Sequence, residues 1–171
     1  MIKLYLTSCT KANEHEMGHR LAKYALYDTY GKRAELSHDE RGKPYFVGEA
    51  NIFISVSHSN ERCLAAISDG EIGADIEYMN GDATRLVRLA ERYFTPSETE
   101  YVKLAPETRF YEIWCAKESY IKYTGEGFSR PLSSFSVLES DLCFSHFTKS
   151  GYAVCICAEE AAAMPPRLIM L

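Results

Sequence analysis

The chain has 171 residues, 46% hydrophobic and 25% charged, which excludes disorder and suits one domain with a substantial core or two small packed halves. A formal net charge of -5 makes it a poor general binder of nucleic acid or anionic membrane, so neither is expected as a partner. No apolar run approaches the roughly 20 residues of a membrane span.

The first expected element is a strand over residues 2–6, where Ile2, Leu4 and Leu6 alternate with Lys3 and Tyr5. The few apolar residues before Leu6-Thr7-Ser8-Cys9 fall short of the about 7–15 that a secretory core needs. The six cysteines form no C-x-x-C pair and read as buried free thiols. Scattered thiols and the lack of an export signal make the cytoplasm the expected location. A helix over 14–30 follows, with Met17, Leu21, Tyr24 and Ala25 near helical spacing and Gly31 suited to its stop. Residues 34–36 read as a short strand and Gly42-Lys43-Pro44 as a turn. Residues 52–56 and 63–68 read as strands, with the polar stretch from Ser57 to Arg62 between them. Asp69-Gly70 reads as a hairpin turn into a third strand over 72–76, giving an antiparallel meander from about 52 to 78. Beyond it, a helix is expected over 83–93, with Leu86, Leu89, Ala90 and Tyr93 as its apolar stripe. Thr95-Pro96-Ser97-Glu98 is a helix start, since Pro favours the first turn and acids its positive end. Another helix runs over 106–123 and stops near Gly125 or Gly127. Residues 135–138, 143–148 and 152–158 read as strands.

Three groups of residues carry chemistry. Asp75 and Glu77 lie two apart on a strand, so both leave by one face while Ala74 and Ile76 point into a core. Solvation accommodates such a pair, and so does magnesium, a hard ion that prefers carboxylate oxygens and is often completed by substrate phosphate. Trp114, Lys117, Glu118, Ile121 and Lys122 share one helical face. That face reads either as an amphipathic surface with a Glu118–Lys122 pair or as a third metal ligand flanked by phosphate-binding cations. Ser57-His58-Ser59 lacks the elbow of a serine hydrolase, and its hydroxyls and imidazole suit anion capture, with His19-Arg20 and Lys43 as further phosphate contacts or plain surface residues.

The order of these pieces resembles a known family. Ser57-His58-Ser59, then Gly73-Ala74-Asp75-Ile76-Glu77, then Phe94…Glu98, then Trp114-Cys115-Ala116-Lys117-Glu118-Ser119…Lys122…Gly125…Gly127 resemble the 4′-phosphopantetheinyl transferases, in the branch that modifies carrier proteins of secondary-metabolite synthases. Gly42-Lys43-Pro44 upstream and Pro131-Leu132-Ser133-Ser134-Phe135-Ser136-Val137 downstream extend the match to residues 42–137. The resemblance implies an α+β fold of two similar halves, about 1–72 and 73–171, packed as a pseudodimer within one monomeric chain. It implies transfer of the phosphopantetheine arm of coenzyme A to a serine of an acyl- or peptidyl-carrier protein, with magnesium and release of adenosine 3′,5′-bisphosphate. A pyrophosphate-cleaving hydrolase and a non-catalytic coenzyme or carrier binder are the alternatives. Carried over by position, Asp75, Glu77 and Glu118 are metal ligands. Ser57 and His58, Lys43, Arg20 and Lys122 contact the coenzyme. Lys122 and Lys117 serve the reaction, and either Glu98 or Glu118 takes the serine proton. The chain departs from the family pattern before residue 42, where the basic clamp of some relatives has only Lys11 and Arg20 as counterparts.

Overall fold

Apolar residues at alternate positions of nearly every strand, and on one stripe of each helix, dictate a layered fold. In the computed structural model, which describes residues 1–127, 130–162, 165 and 167–171, these elements form two sheets stacked face to face with helices outside both. The larger sheet runs in the order β2 (Leu36–His38), β3 (Pro44–Phe46), β4 (Phe53–Ser59), β5 (Arg62–Ser68), β1 (Ile2–Ser8), β9 (Arg167–Leu168). The smaller runs β6 (Ile72–Tyr78), β8 (Tyr152–Ala158), β7 (Cys143–Lys149). Helix α1 (Glu14–Tyr30) covers the outer face of the larger sheet, and α2 (Ala83–Tyr93), α3 (Pro96–Lys103) and α4 (Pro106–Thr124) cover that of the smaller.

Strand β5 shows how alternation builds the layers. Cys63, Ala65 and Ile67 pack towards α1 with Met17, Leu21 and Leu26, while Leu64 and Ala66 pack with Leu4, Leu6, Ala74, Ile76, Val154 and Ile156 between the sheets. Each large aliphatic side chain buried in this way contributes about 1.5–3 kcal/mol. Among the described residues no helix is long and apolar enough to cross a membrane.

The helices begin and end where their sequence signals lie. Gly31 closes α1 at φ 66° and Gly125 closes α4 at φ 68°, each taking the left-handed conformation that costs glycine nothing. Thr95 and Glu98 form a reciprocal capping box ahead of α3.

The strands differ more from expectation. The 52–78 meander does not form: β5 has β4 on one edge and β1 on the other, so β6 crosses to the second sheet and pairs with β8. Ser57, His58 and Ser59 lie within β4, and the turn is made by Asn60, at φ 52°, with Glu61. The strand expected at 34–36 lies at Leu36–His38 and is paired with Pro44–Phe46. Residues 135–138 form no strand; they follow a 3-10 turn at Leu132–Ser134 and are held by side chains from α3 and α4. Beyond the positions that sequence reasoning assigned, Arg167–Leu168 pairs parallel with β1.

Helix α4 lies so close on β6 that one residue decides the contact. A Cβ at Gly73 would stand 1.8 Å from the Ser119 carbonyl oxygen and 2.5 Å from the Tyr123 nitrogen. Both are backbone atoms, so relief requires lifting the helix. Gly73→Ala is expected to destabilise the fold by roughly 3 kcal/mol or more, as overpacking against rigid neighbours does. Gly70→Ala, whose Cβ meets nothing within 4 Å, should leave the denaturation midpoint nearly unchanged. Equal midpoints for the two variants would refute the contact.

Candidate active site

Alternation on β6 places Gly73, Asp75 and Glu77 on the face towards α4. On β4 the same alternation directs Ser55, Ser57 and Ser59 at β6. Ser55 Oγ accepts from the Ala74 N–H at 2.9 Å and Ser59 Oγ from the Tyr78 N–H at 3.1 Å. Ser57 and Ser59 also donate to Asp75 Oδ1 and Glu77 Oε2, each at 2.8 Å. These hydroxyls form a seam between the two sheets and hold both carboxylates in place. Trp114 Nε1 donates to the other Glu77 oxygen at 3.3 Å.

From α4, Lys122 reaches across so that Nζ lies 2.8 Å from both Ser57 Oγ and Asp75 Oδ1. Asp75 is 4% exposed, and its second oxygen, Oδ2, is buried with no hydrogen-bond partner among the described residues. Burial, and next the charge of Asp75, push the carboxyls of both Glu77 and Glu118 above their ordinary range. Asp75 thus acts on an acid of its own strand and on one of α4. Oxygen donors that repel one another around an orphaned carboxylate oxygen fit a hard divalent cation, with waters or phosphate completing its shell. As the side chains stand, no three His, Cys, Asp or Glu residues among those described are grouped closely enough to hold a metal ion, and the Lys122 ammonium lies against Asp75.

Beside these carboxylates is a cavity of about 190 Å³, lined by Arg41, Lys43 and Pro44, by Ile54 and Val56 of β4, and by Glu118 and Lys122 of α4. The structure therefore gathers Asp75, Glu77, Glu118, Lys122, Ser57 and Lys43. Lys43 is already engaged, donating to the Tyr123 carbonyl at 2.6 Å and pairing with Glu71. His58 leaves β4 on the opposite face from Ser57, 3.4 Å from Glu14 of α1. Arg20 is exposed on α1, donates to the sulfur of Met17, and does not line the cavity. Arg41 and the apolar wall of Ile54 and Val56 were not singled out by sequence. The position of Arg41 directly before Gly42-Lys43-Pro44 was the available signal.

Glu98 and Lys117, expected to serve catalysis, occupy a different place. Their side chains are wholly buried and paired at 2.8 Å. Lys117 Nζ also donates to the carbonyls of Leu132 and Phe135, which uses all three of its N–H groups. Glu98 accepts from the Val137 N–H at 2.8 Å, from the Thr95 N–H at 2.9 Å and from the Thr95 hydroxyl at 3.0 Å. A carboxylate enclosed by four donors has no route to an incoming hydroxyl, so the expectation of Glu98 as the base is corrected. Burial lowers the Lys117 ammonium below its ordinary value, and Glu98 opposes that shift. The pair joins α3, α4 and residues 132–137.

The catalytic-looking half of this geometry lies within a recognised family region. The model of the 4′-phosphopantetheinyl transferase superfamily matches residues 71–163, which include Asp75, Glu77, Glu118 and Lys122. The chain belongs to this superfamily. A 4′-phosphopantetheinyl transferase of Bacillus subtilis is 39% identical over 108 residues, covering 60% of this chain and 46% of its own. The transferase AcpT of Escherichia coli O157:H7 is 31% identical over 137 residues, covering 77% and 70% respectively. The transferase gsp of Aneurinibacillus migulanus is 36% identical over 103 residues, covering 57% and 40%. The chain spans about half the length of most of the curated transferases it matches. Ser57, His58, Lys43 and Arg20 lie outside the region matched by the superfamily model.

Two outcomes follow from the charges. Lys117→Met leaves Glu98 buried without its counter-ion and should cost about 3–5 kcal/mol in urea denaturation; a loss well under 1 kcal/mol would show that the pair does not hold the segment. Glu118 binds a proton more readily folded than unfolded, so its ionised form costs stability at neutral pH. In metal-free protein, Glu118→Gln should therefore raise the melting temperature at neutral pH. The gain should fade as pH falls through the carboxylate range, where Glu118 is itself neutral. An unchanged or lowered melting temperature at neutral pH would refute that cost.

Proposed function

We propose that this protein transfers the 4′-phosphopantetheine group of coenzyme A to a serine of an acyl- or peptidyl-carrier protein, in the secondary-metabolite branch of its superfamily. The carrying observation is that Glu118 and Lys122 line one cavity, with Lys122 reaching to Asp75, and that these residues and Glu77 lie within the stretch that matches the superfamily. Residues 1–72 and 73–171 are read as the halves of a pseudodimer, each built mainly on one sheet, with β9 crossing back to the first and the coenzyme in the cleft between them. The enzyme acts as a cytoplasmic monomer.

In this reading Asp75, Glu77 and Glu118 would hold magnesium, and the Asp75 oxygen that lacks a partner among the described residues supports that assignment. The bound cation supplies charge neutralisation at the pyrophosphate. Lys122 leaves Asp75 for a phosphate oxygen and stabilises charge on the leaving group. The carrier serine Oγ bonds to the phosphorus that bears pantetheine. The bond from that phosphorus to the bridging oxygen breaks, releasing adenosine 3′,5′-bisphosphate. Glu118, which lines the cavity, takes the serine proton. Ser57 and Ser59 fix Asp75 and Glu77, and Trp114 orients Glu77. Lys43 and His58 hold the coenzyme from the first half.

Incubation with coenzyme A, magnesium and a panel of apo carrier proteins should give a mass gain of one phosphopantetheine on a carrier. Asp75→Ala and Glu118→Ala should each abolish that gain in protein that remains folded by circular dichroism. Wild-type protein that binds coenzyme A yet modifies no carrier would overturn the reaction, and near-wild-type activity of either variant at saturating magnesium would overturn the ligand assignment.

A further inference from the structure

Four of the five histidines stand in one row on the α1 side of the larger sheet, and all four are exposed. His15 and His19 are one turn apart on α1. The His15 ring lies 5.7 Å from that of His58 on β4, and the His19 ring 5.5 Å from that of His38 at the end of β2. The row borders the cavity wall at two points. His38 is the strand partner of Pro44, and His58 lies two residues beyond Val56 on the same face of β4. Pro44 and Val56 both line the cavity.

The charges around the row are one-sided. Glu14 approaches His58 at 3.4 Å, but no carboxylate among the described residues pairs with His15, His19 or His38. Asp39, next to His38, is turned away to accept from the Arg41 and Lys43 amides. Glu35, across from α1, is taken by Lys23. Partial burial, and next the charged neighbours His38, Lys23 and His15, hold the His19 imidazole below its ordinary value. This is a poor setting for a metal dication and a suitable one for an anion, which would reverse that depression by favouring the protonated ring.

We propose that His15, His19 and His38 extend the His58 contact into a phosphate-binding rim of the coenzyme cleft, and that its grip strengthens as the imidazoles take up protons. The inference rests on the coenzyme reading above. A neutral imidazole donates one N–H, whereas an imidazolium donates two and adds a charge. In this way the row adds to Arg41, the residue before position 42 that already lines the cavity.

Titration calorimetry with coenzyme A, from about pH 8 down to about pH 6, spans the range in which histidine charges. Wild-type affinity should tighten by about tenfold, the size of one charge-assisted hydrogen bond. Heats that vary with buffer ionisation should report proton uptake. The double variant His19→Gln/His38→Gln should lose the pH dependence and match wild type at the alkaline end, with His15→Gln giving a smaller loss. Both rings are exposed, so the variants keep the core intact. Equal affinities of wild type and double variant at every pH would overturn the rim while leaving the coenzyme reading in place. If coenzyme A does not bind at any pH, that reading falls, and inorganic pyrophosphate decides the rim alone. Histidine-dependent binding that strengthens in acid supports it, and no such binding overturns it.

Discussion

Asp75 sits in a setting where only 4% of the residue meets water. A lone carboxylate there would be prohibitively costly, so its surroundings are arranged around it. Ser57 brings a hydroxyl from the larger sheet and Lys122 an ammonium from α4, both to the same oxygen. The smaller sheet contributes Asp75 itself. One charge thereby fixes the position of two sheets and a helix relative to one another. The other carboxylate oxygen is left without a partner among the described residues.

The same contact explains why the glycine and the serines are where they are. A strand that presents acids to a helix must let the helix approach closely, and Gly73 removes the side chain that would prevent it. A strand at the border between two sheets has backbone N–H groups facing the neighbouring sheet. Ser55 and Ser59 satisfy those of Ala74 and Tyr78. Read along the chain, Ser57 and Ser59 belong to a polar stretch between two strands. In space it is a joint, and its hydroxyls serve structure and acids together.

Much of this was legible in the residues, for identifiable reasons. Helices α1, α2 and α4 carry local signals strong enough to fix their ends, such as Gly31 and Gly125. The same-face geometry of Asp75 and Glu77 follows from the period of a strand. Strand partnership was not legible, because period-two alternation states that a strand has a buried face without saying which sheet receives it. Lys117 and Lys122 show the limit most clearly. They are five residues, or about 140°, apart around one helix. That rotation separates a wholly buried lysine that binds the 132–137 segment from one at the cavity mouth. Glu98 was misjudged similarly: its acidic helix-start signal is real, but the structure spends it on a cap and a buried pair.

Strand β9 has a consequence for how the molecule assembles. After the smaller sheet is complete, the backbone returns to lie parallel to β1, with Tyr5 beside Arg167 and Ile169 buried against the α1 layer. The larger sheet is thus sealed by residues that a ribosome adds long after its other strands have emerged. During synthesis the edge of β1 stays open, and a nascent sheet with an open edge is prone to pairing with the wrong chain. Such distant pairing must also close a long loop, which is slow compared with local helix formation. The two layers are therefore expected to mature as one cooperative unit, in which the sheet begun first is finished last.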